Sequence, residues 1–340
     1  MGKAAREASR ERLRQERERA KKRSQRNKVL GVVGAAAAVI LLVVGGGYFF
    51  FAQQSAQEQA FANRYEQLPS QTVQQDGSVV LAEEGVQAPV VEVYADFQCP
   101  ACKQFETASG PTLQKLATEG KAIVHYRPVS IFAQAQEPLS TNSLRAAAAA
   151  RSAADYGKFV EYHDLLFENQ PAEGSQGFAT GDLKEWGAEI GIDDPAFAER
   201  VEAEAQVADT FTGDYLPKLS AAAQDRMSGS EIQQTGLGGL IEWGDANGVD
   251  SSFLQDTYVK EVIDATSAVK DRYSSGANAF GGTPAVYVNG QQMGDAAFSG
   301  DGIRDAVSEA GPGEVSTEPL AASDDSGASA DASPEPTVSP

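Results

Sequence analysis

Residues 89–102 read Pro89-Val90-Val91-Glu92-Val93-Tyr94-Ala95-Asp96-Phe97-Gln98-Cys99-Pro100-Ala101-Cys102. The β-branched and aromatic character of Pro89–Asp96 predicts a buried strand. Helix-forming residues follow from Pro100 to Glu119. Pro100 is placed as a first-turn proline, where its missing N–H costs no helical hydrogen bond. Cys99 and Cys102 are the only cysteines in the chain. They fall between the C-terminal end of a strand and the first turn of a helix.

Three uses of such a pair compete. A structural disulfide across two residues closes so small a loop that it restricts the unfolded chain little. A zinc site needs two further ligands, and the only histidines, His125 and His163, are isolated from each other in sequence. Redox chemistry needs no further ligand. At a helix N-terminus, free backbone N–H groups and the helix dipole stabilise a thiolate. The placement favours redox. Cys99, at the helix entrance, is then the expected exposed nucleophile, and Cys102, one turn inside, the resolving thiol. Exchange proceeds by thiolate attack on a disulfide sulfur and uses no dissociable cofactor.

On either side of this motif the pattern is that of one α/β sheet. Ala122–Tyr126 reads as a second strand. Residues 139–272 are rich in Ala, Glu, Leu and Lys at helical spacing, broken by Gly and Pro. Strand character returns at Ala285–Asn289, with a turn at Asn289-Gly290, and a last helix fits Asp301–Ala310. This order predicts a sheet split by a helical insertion over about 139–272. Within the insertion, Leu183-Lys184-Glu185-Trp186-Gly187 with Gly191-Ile192-Asp193 recurs as Leu240-Ile241-Glu242-Trp243-Gly244 with Gly248-Val249-Asp250. The echo reads as a duplicated helix–turn–helix unit or as similar helix C-cap chemistry used twice, with duplication slightly favoured. Pro284 opens the strand at Ala285. A proline there cannot donate to the ladder. It is either an ordinary loop proline or a cis-proline beside the cysteines, with the Thr283 backbone available to a bound substrate strand.

Three blocks together resemble the DsbA-like branch of the thioredoxin superfamily: Tyr94-Ala95-Asp96-Phe97-Gln98-Cys99-Pro100-Ala101-Cys102, then Phe159-Val160-Glu161-Tyr162-His163-Asp164-Leu165-Leu166-Phe167, then Gly282-Thr283-Pro284 with Val288-Asn289-Gly290. The resemblance covers roughly residues 86–170 and 270–310. It implies a thioredoxin fold with a large helical insertion, a cis peptide at Pro284, and a structural role for His163. Members of that family often carry a buried acid six residues before the first cysteine. Val93 stands there, while Glu92 points to the opposite face of the strand. Asp96 is the acid left near the site as a candidate proton relay. Pro-Ala between the cysteines lacks the histidine of the strongly oxidising type, so the expected potential is less oxidising than the roughly −120 mV quoted for DsbA.

The rest of the chain concerns location. Residues 1–28 hold twelve Lys/Arg and four Glu, which leaves 16 basic against 44 acidic residues for the remainder. So acidic a body repels phosphates and argues against nucleic-acid binding. The uncharged apolar run Val29–Ala52 is long enough to span a bilayer and ends in Tyr48-Phe49-Phe50-Phe51, an interfacial aromatic belt. A cleaved signal peptide would have a shorter apolar region. The basic arm keeps the N-terminus cytoplasmic, so a retained transmembrane helix exports residues 53–340 to the outer side of the cell membrane. Residues 53–85 read as a stalk with a short strand around Ser78–Leu81, 86–310 as the globular domain, and 311–340 as a Ser/Asp/Pro/Glu tail too polar to order itself. The resemblance implies exported protein substrates and a reoxidising membrane partner of the DsbB or vitamin-K-epoxide-reductase type. The competing functions are a reductase or isomerase kept dithiol by a membrane donor, and a non-catalytic binding or scaffold protein.

Overall fold

A computed structural model describes residues 65–316 of the chain. The basic arm, the apolar run 29–52, the first part of the stalk and the tail beyond Ser316 lie outside those residues. No helix among the described residues is long and apolar enough to cross a membrane.

Six strands form one sheet: β1 (Gln71–Val73), β2 (Val79–Leu81), β3 (Val90–Ala95), β4 (Ile123–Pro128), β5 (Ala285–Val288) and β6 (Gln291–Gln292). Their order is β1-β2-β4-β3-β5-β6. The apolar run that precedes the cysteines is β3, buried at every residue. It pairs in parallel with β4, Val90 opposite Ile123 through Ala95 opposite Pro128, and antiparallel with β5, where Tyr94 faces Ala285. Helix α1 (Pro100–Thr118) is the crossover between β3 and β4. The β5–β6 turn at Asn289-Gly290 has φ of 47° and 81°, the left-handed pair that a two-residue hairpin loop requires.

Seven helices lie between β4 and β5: α2 (Leu139–Ala154), α3 (Phe159–Glu168), α4 (Thr180–Glu189), α5 (Pro195–Thr210), α6 (Leu216–Arg226), α7 (Gly229–Ala246) and α8 (Tyr258–Arg272). A last helix, α9 (Gly300–Glu309), packs on α1. Helix α2 carries the buried alanines Ala146–Ala150, whose small side chains let α3, α5 and α8 approach it closely. A five-residue π turn, Phe211–Tyr215, joins α5 to α6 just before Pro217. Proline has no N–H to continue the helical ladder, and the chain widens there.

The structure corrects three boundaries and decides between the two readings of the internal echo. The expected stalk 53–85 does not extend to residue 85. Gln71–Leu81 folds as the β1–β2 hairpin, and β2 pairs with β4. The short strand expected around Ser78–Leu81 is β2, where Val79 and Leu81 carry the burial, while the polar residues of β1 hid its partner. The expected insertion 139–272 includes a helix that belongs to the α/β layer. Val269 of α8, with the adjoining Tyr273, packs into a core cluster with Tyr94, Val129, Ala285 and Tyr287. The tail begins later than 311: Gly313 N–H donates to the Ala88 carbonyl at 3.0 Å, and the Arg127 guanidinium to the Ser316 carbonyl. Finally, the internal echo is capping chemistry and not a repeated fold. Ile192 N–H bonds the Gly187 carbonyl and Val249 N–H the Gly244 carbonyl, both at 2.9 Å, closing the two helices alike. Gly191 and Gly248 supply the positive φ of 84° and 88° that this closure needs. The packing differs, since Gly187 lies against Phe197 of the following helix and Gly244 against Leu219 of the preceding one.

Candidate active site

β3 ends at Ala95, and Asp96–Gln98 carry the chain over the sheet into α1. Cys99 is the N-cap of α1, extended at φ −78° and ψ 118°, with Pro100 in the first turn. Its carbonyl closes that turn by accepting from Cys102 N–H at 3.1 Å and Lys103 N–H at 3.3 Å. An N-cap is usually Ser, Thr, Asp or Asn, whose side-chain oxygen takes an orphan N–H. Here a sulfur occupies that place. The second element arrives from β5. Because Ala285 pairs with Tyr94, the preceding loop sits beside the end of β3. The Thr283–Pro284 peptide is cis, and Thr283 carbonyl accepts from Cys99 Sγ at 3.3 Å. Cys99, Cys102, Thr283 and Pro284 therefore form one site, and both cysteines are free thiols.

The two sulfurs differ sharply. The Cys102 thiol, hydrogen-bonded to Cys99, does most to pull the Cys99 pKa down from 9.0 to about 6. Burial works against this, and hydrogen bonds from Thr283 and from the Cys102 and Ala101 backbone assist it. Cys102 is pushed far up, first by burial and then by its hydrogen bond and proximity to Cys99. The nucleophile and resolver roles thus have an electrostatic basis. One expectation is corrected: Cys99 is not freely exposed. It keeps 6% of its surface against 0% for Cys102, because the Thr283–Pro284 loop leans over it.

Asp96 lies in the loop that carries Cys99, fully buried. Its Oδ1 accepts from Gln98 N–H at 2.8 Å and from Ser143 Oγ at 2.9 Å, and its Oδ2 from the same hydroxyl at 2.8 Å and from Phe132 N–H at 3.4 Å. Burial raises its pKa to about 7 against these hydrogen bonds, and the Cys99 charge adds to the rise. The rate at which a small alkylating reagent modifies Cys99 should climb about tenfold per pH unit to about pH 6 and then level. A free thiol would keep climbing toward 9, and such a profile here would contradict the site as drawn.

Glu92 and Val93 divide as their alternation on the strand requires. Glu92 faces α8, where it accepts from Tyr94, Tyr273 and Arg272. Val93 faces the other way, into a small cavity shared with Phe97, Tyr126 and His163. His163 on α3 is held between acids, with Nε2 3.5 Å from Glu106 Oε1 and Nδ1 3.2 Å from Asp164 Oδ1. Burial opposes its charge, but Glu106 and Asp164 prevail and lift its pKa to about 9. The other histidine, His125 on β4, has its Nε2 2.7 Å from Ser78 Oγ.

Sequence reasoning missed the side chains that hold the cysteine loop from the insertion. Gln170 Nε2 donates to the carbonyls of Phe97 and Cys99 at 2.8 and 3.0 Å. Asn142 Nδ2 donates to Gln98 Oε1 and to the Ser175 carbonyl at 3.2 and 2.8 Å. Gln170 follows the family-like block ending at Phe167 by three residues, a proximity that was the available signal.

Residues 85–236 match a protein-family model described as thioredoxin. With the sheet order above, the described region is a mixed α/β thioredoxin-like fold with many added helices. No curated protein sequence matches the chain. Among solved structures, MdbA, a thiol-disulfide oxidoreductase from Corynebacterium diphtheriae, aligns at 16% identity and TM-score 0.43 over 70% of this chain and 94% of its own. Reduced DsbA from Mycobacterium tuberculosis aligns at 22% identity and TM-score 0.40, over 68% and 98%. Oxidised BdbD from Bacillus subtilis aligns at 18% identity and TM-score 0.40, over 71% and 97%.

Proposed function

We propose that this chain is an extracytoplasmic protein thiol–disulfide oxidoreductase, held at the cell membrane by residues 29–52 and acting through Cys99 and Cys102. The observation that carries the reading is the asymmetric pair: a thiol near pKa 6 at the N-cap of α1, backed by a buried thiol of high pKa and covered by the Thr283 carbonyl. Neither a structural bridge nor a passive scaffold needs that difference.

In the oxidising direction, a substrate thiolate attacks Cys99 Sγ of the Cys99–Cys102 disulfide. The Cys99–Cys102 bond breaks, and Cys102 leaves and takes a proton. A second substrate thiolate then attacks the substrate sulfur of the mixed disulfide and expels Cys99 as its stabilised thiolate. Two substrate thiols become one disulfide, and the protein gains two electrons and one or two protons, according to the charge on Cys99. Asp96 serves as the relay for the proton that Cys102 takes: burial lifts its carboxyl to about 7, so it holds a proton to give near neutral pH and recovers one from solvent afterwards. Ser143 ties that carboxyl to Ser130 Oγ, 2.6 Å beyond. The regenerating partner is a membrane protein of the DsbB or vitamin-K-epoxide-reductase type.

One observation supports the alternative, a reductase or isomerase. A nucleophile near 6 lies between the values of roughly 3.5 for DsbA and 7 for thioredoxin. At about 30 mV per pKa unit for a two-electron couple, those anchors place the potential between about −240 and −195 mV. A measured value at or above about −120 mV would contradict this account of the thiolate. Rapid alkylation of thiols in intact cells decides direction: a pair held mostly as disulfide means oxidase, and a pair held mostly as dithiol means reductase or isomerase.

A further inference from the structure

The loop Asp96–Cys99 is fastened by side chains that come from the helical insertion. Ser143 binds Asp96, and Asn142 joins Gln98 to Ser175. Gln170 binds the carbonyls of Phe97 and Cys99, the residues on either side of Gln98. Nearby, Lys103 Nζ donates to the Glu168 carbonyl at 3.0 Å, fixing the first turns of α1 to the end of α3.

The Cys99 carbonyl has a special place, since it also closes the first turn of α1. We propose that Gln170 is a positioning residue for the Cys99 thiolate: its side-chain amide, donating to the Phe97 and Cys99 carbonyls, holds Cys99 at the N-cap with its sulfur against the first turn. This rests on the exchange reaction proposed above.

The chemistry of the contact explains why the residue must donate. Both partners are backbone carbonyls, which only accept. Each is the negative end of a peptide dipole close to a sulfur that must itself carry negative charge. A donor that grips both oxygens offsets those dipole ends and fixes the peptide entering Gln98 and the peptide leaving Cys99. Without it, the loop can rotate and the sulfur loses alignment with the helix N–H groups that stabilise its charge. Length matters less than the N–H. An ammonium can replace the amide, whereas a thioether or a carboxylate cannot.

The test compares Gln170→Met, Gln170→Lys and Gln170→Glu in the full-length chain. Ultraviolet absorbance follows the Cys99 thiolate against pH, and disulfide exchange with a reduced client is timed. Gln170→Met should raise the thiolate pKa by about one unit, a tenfold loss of thiolate at low pH, the effect of taking about one net hydrogen bond from the thiolate form. Gln170→Glu should raise it further, and Gln170→Lys should leave it unchanged or lower it. A structural packing role would move Gln170→Met and Gln170→Lys together, and that result overturns the proposal. Identical titrations in Gln170→Lys and Gln170→Glu also overturn it, and this pair decides the matter if Gln170→Met does not fold. If the unsubstituted chain exchanges no disulfides, the proposed function is what fails. If it exchanges them and Gln170→Met titrates as it does, only the positioning role fails.

Discussion

Cys102→Ser should fill with mixed disulfides joining Cys99 to client proteins, while Cys99→Ser should lose exchange altogether. The two outcomes follow from one asymmetry. With Cys102 replaced, Cys99 keeps its place at the N-cap of α1 and under the Thr283 carbonyl. It still attacks a disulfide, but no second thiol stands behind it to break the product. The substitution also removes part of the thiolate's support, because hydrogen bonding from Cys102 is the largest cause lowering the Cys99 pKa. A serine hydroxyl can donate in its place, so the trapped adduct should form more slowly only by a small factor. With Cys99 replaced, the remaining thiol is fully buried and pushed far above its ordinary pKa. Almost none of it is thiolate at neutral pH, and exchange should fall by at least about a thousandfold. Gel separation without reductant, followed by identification of the attached proteins, reads both results. A Cys102→Ser chain that accumulates no adduct with reduced or oxidised clients would reverse the assignment of the two roles.

The parts legible in the sequence were those fixed by local chemistry. The run from Val90 to Ala95 is apolar enough to be nothing but an inner strand, and Pro100 marks where the helix must begin. Those two facts place the cysteines. Resemblance, and not pattern, supplied the cis geometry at Pro284; the residues alone left it even with an ordinary loop. What escaped was long-range. Strand β1 is short and mostly polar, and only pairing with β2 makes it a strand. Helix α8 reads like the helices before it, because an apolar stripe does not say which partner will cover it. Gln170 and Asn142 carry no local mark of their task, since their partners are 71 to 73 and 44 residues distant. Only the nearness of Asp96 to the cysteines marks it in the sequence. Its hydrogen bonds to the Gln98 N–H, Ser143 and the Phe132 N–H show that it also shapes the loop.

Glu92→Leu should destabilise the domain by about 3–5 kcal/mol, the range for breaking a buried ion pair from one side. Glu92 and Arg272 keep 4% and 8% of their side-chain surface and meet at 2.8 Å. The same carboxylate takes the Tyr94 and Tyr273 hydroxyls, each at 2.9 Å. Leucine would leave a guanidinium and two phenols in an interior where Tyr273 stacks on Tyr287 at 3.7 Å and Tyr94 meets both edge-on. Water cannot reach such groups easily, so their lost partners are the main cost. Glu92→Gln keeps an acceptor for the phenols and should cost less than Glu92→Leu. The discriminating variant is the double change Glu92→Leu with Arg272→Met. Removing both charges takes away the cation that has lost its carboxylate, so the double variant should recover much of the stability that Glu92→Leu alone loses. Denaturant unfolding of the oxidised chain measures all three. If the double variant is as unstable as the single one, shape and not charge governs this contact. The site supplies an internal control, since Glu92 lies on the face of β3 opposite Val93 and its cavity. A loss of stability that leaves the Cys99 titration near 6 would show that this network ties α8 to the sheet without tuning the thiolate.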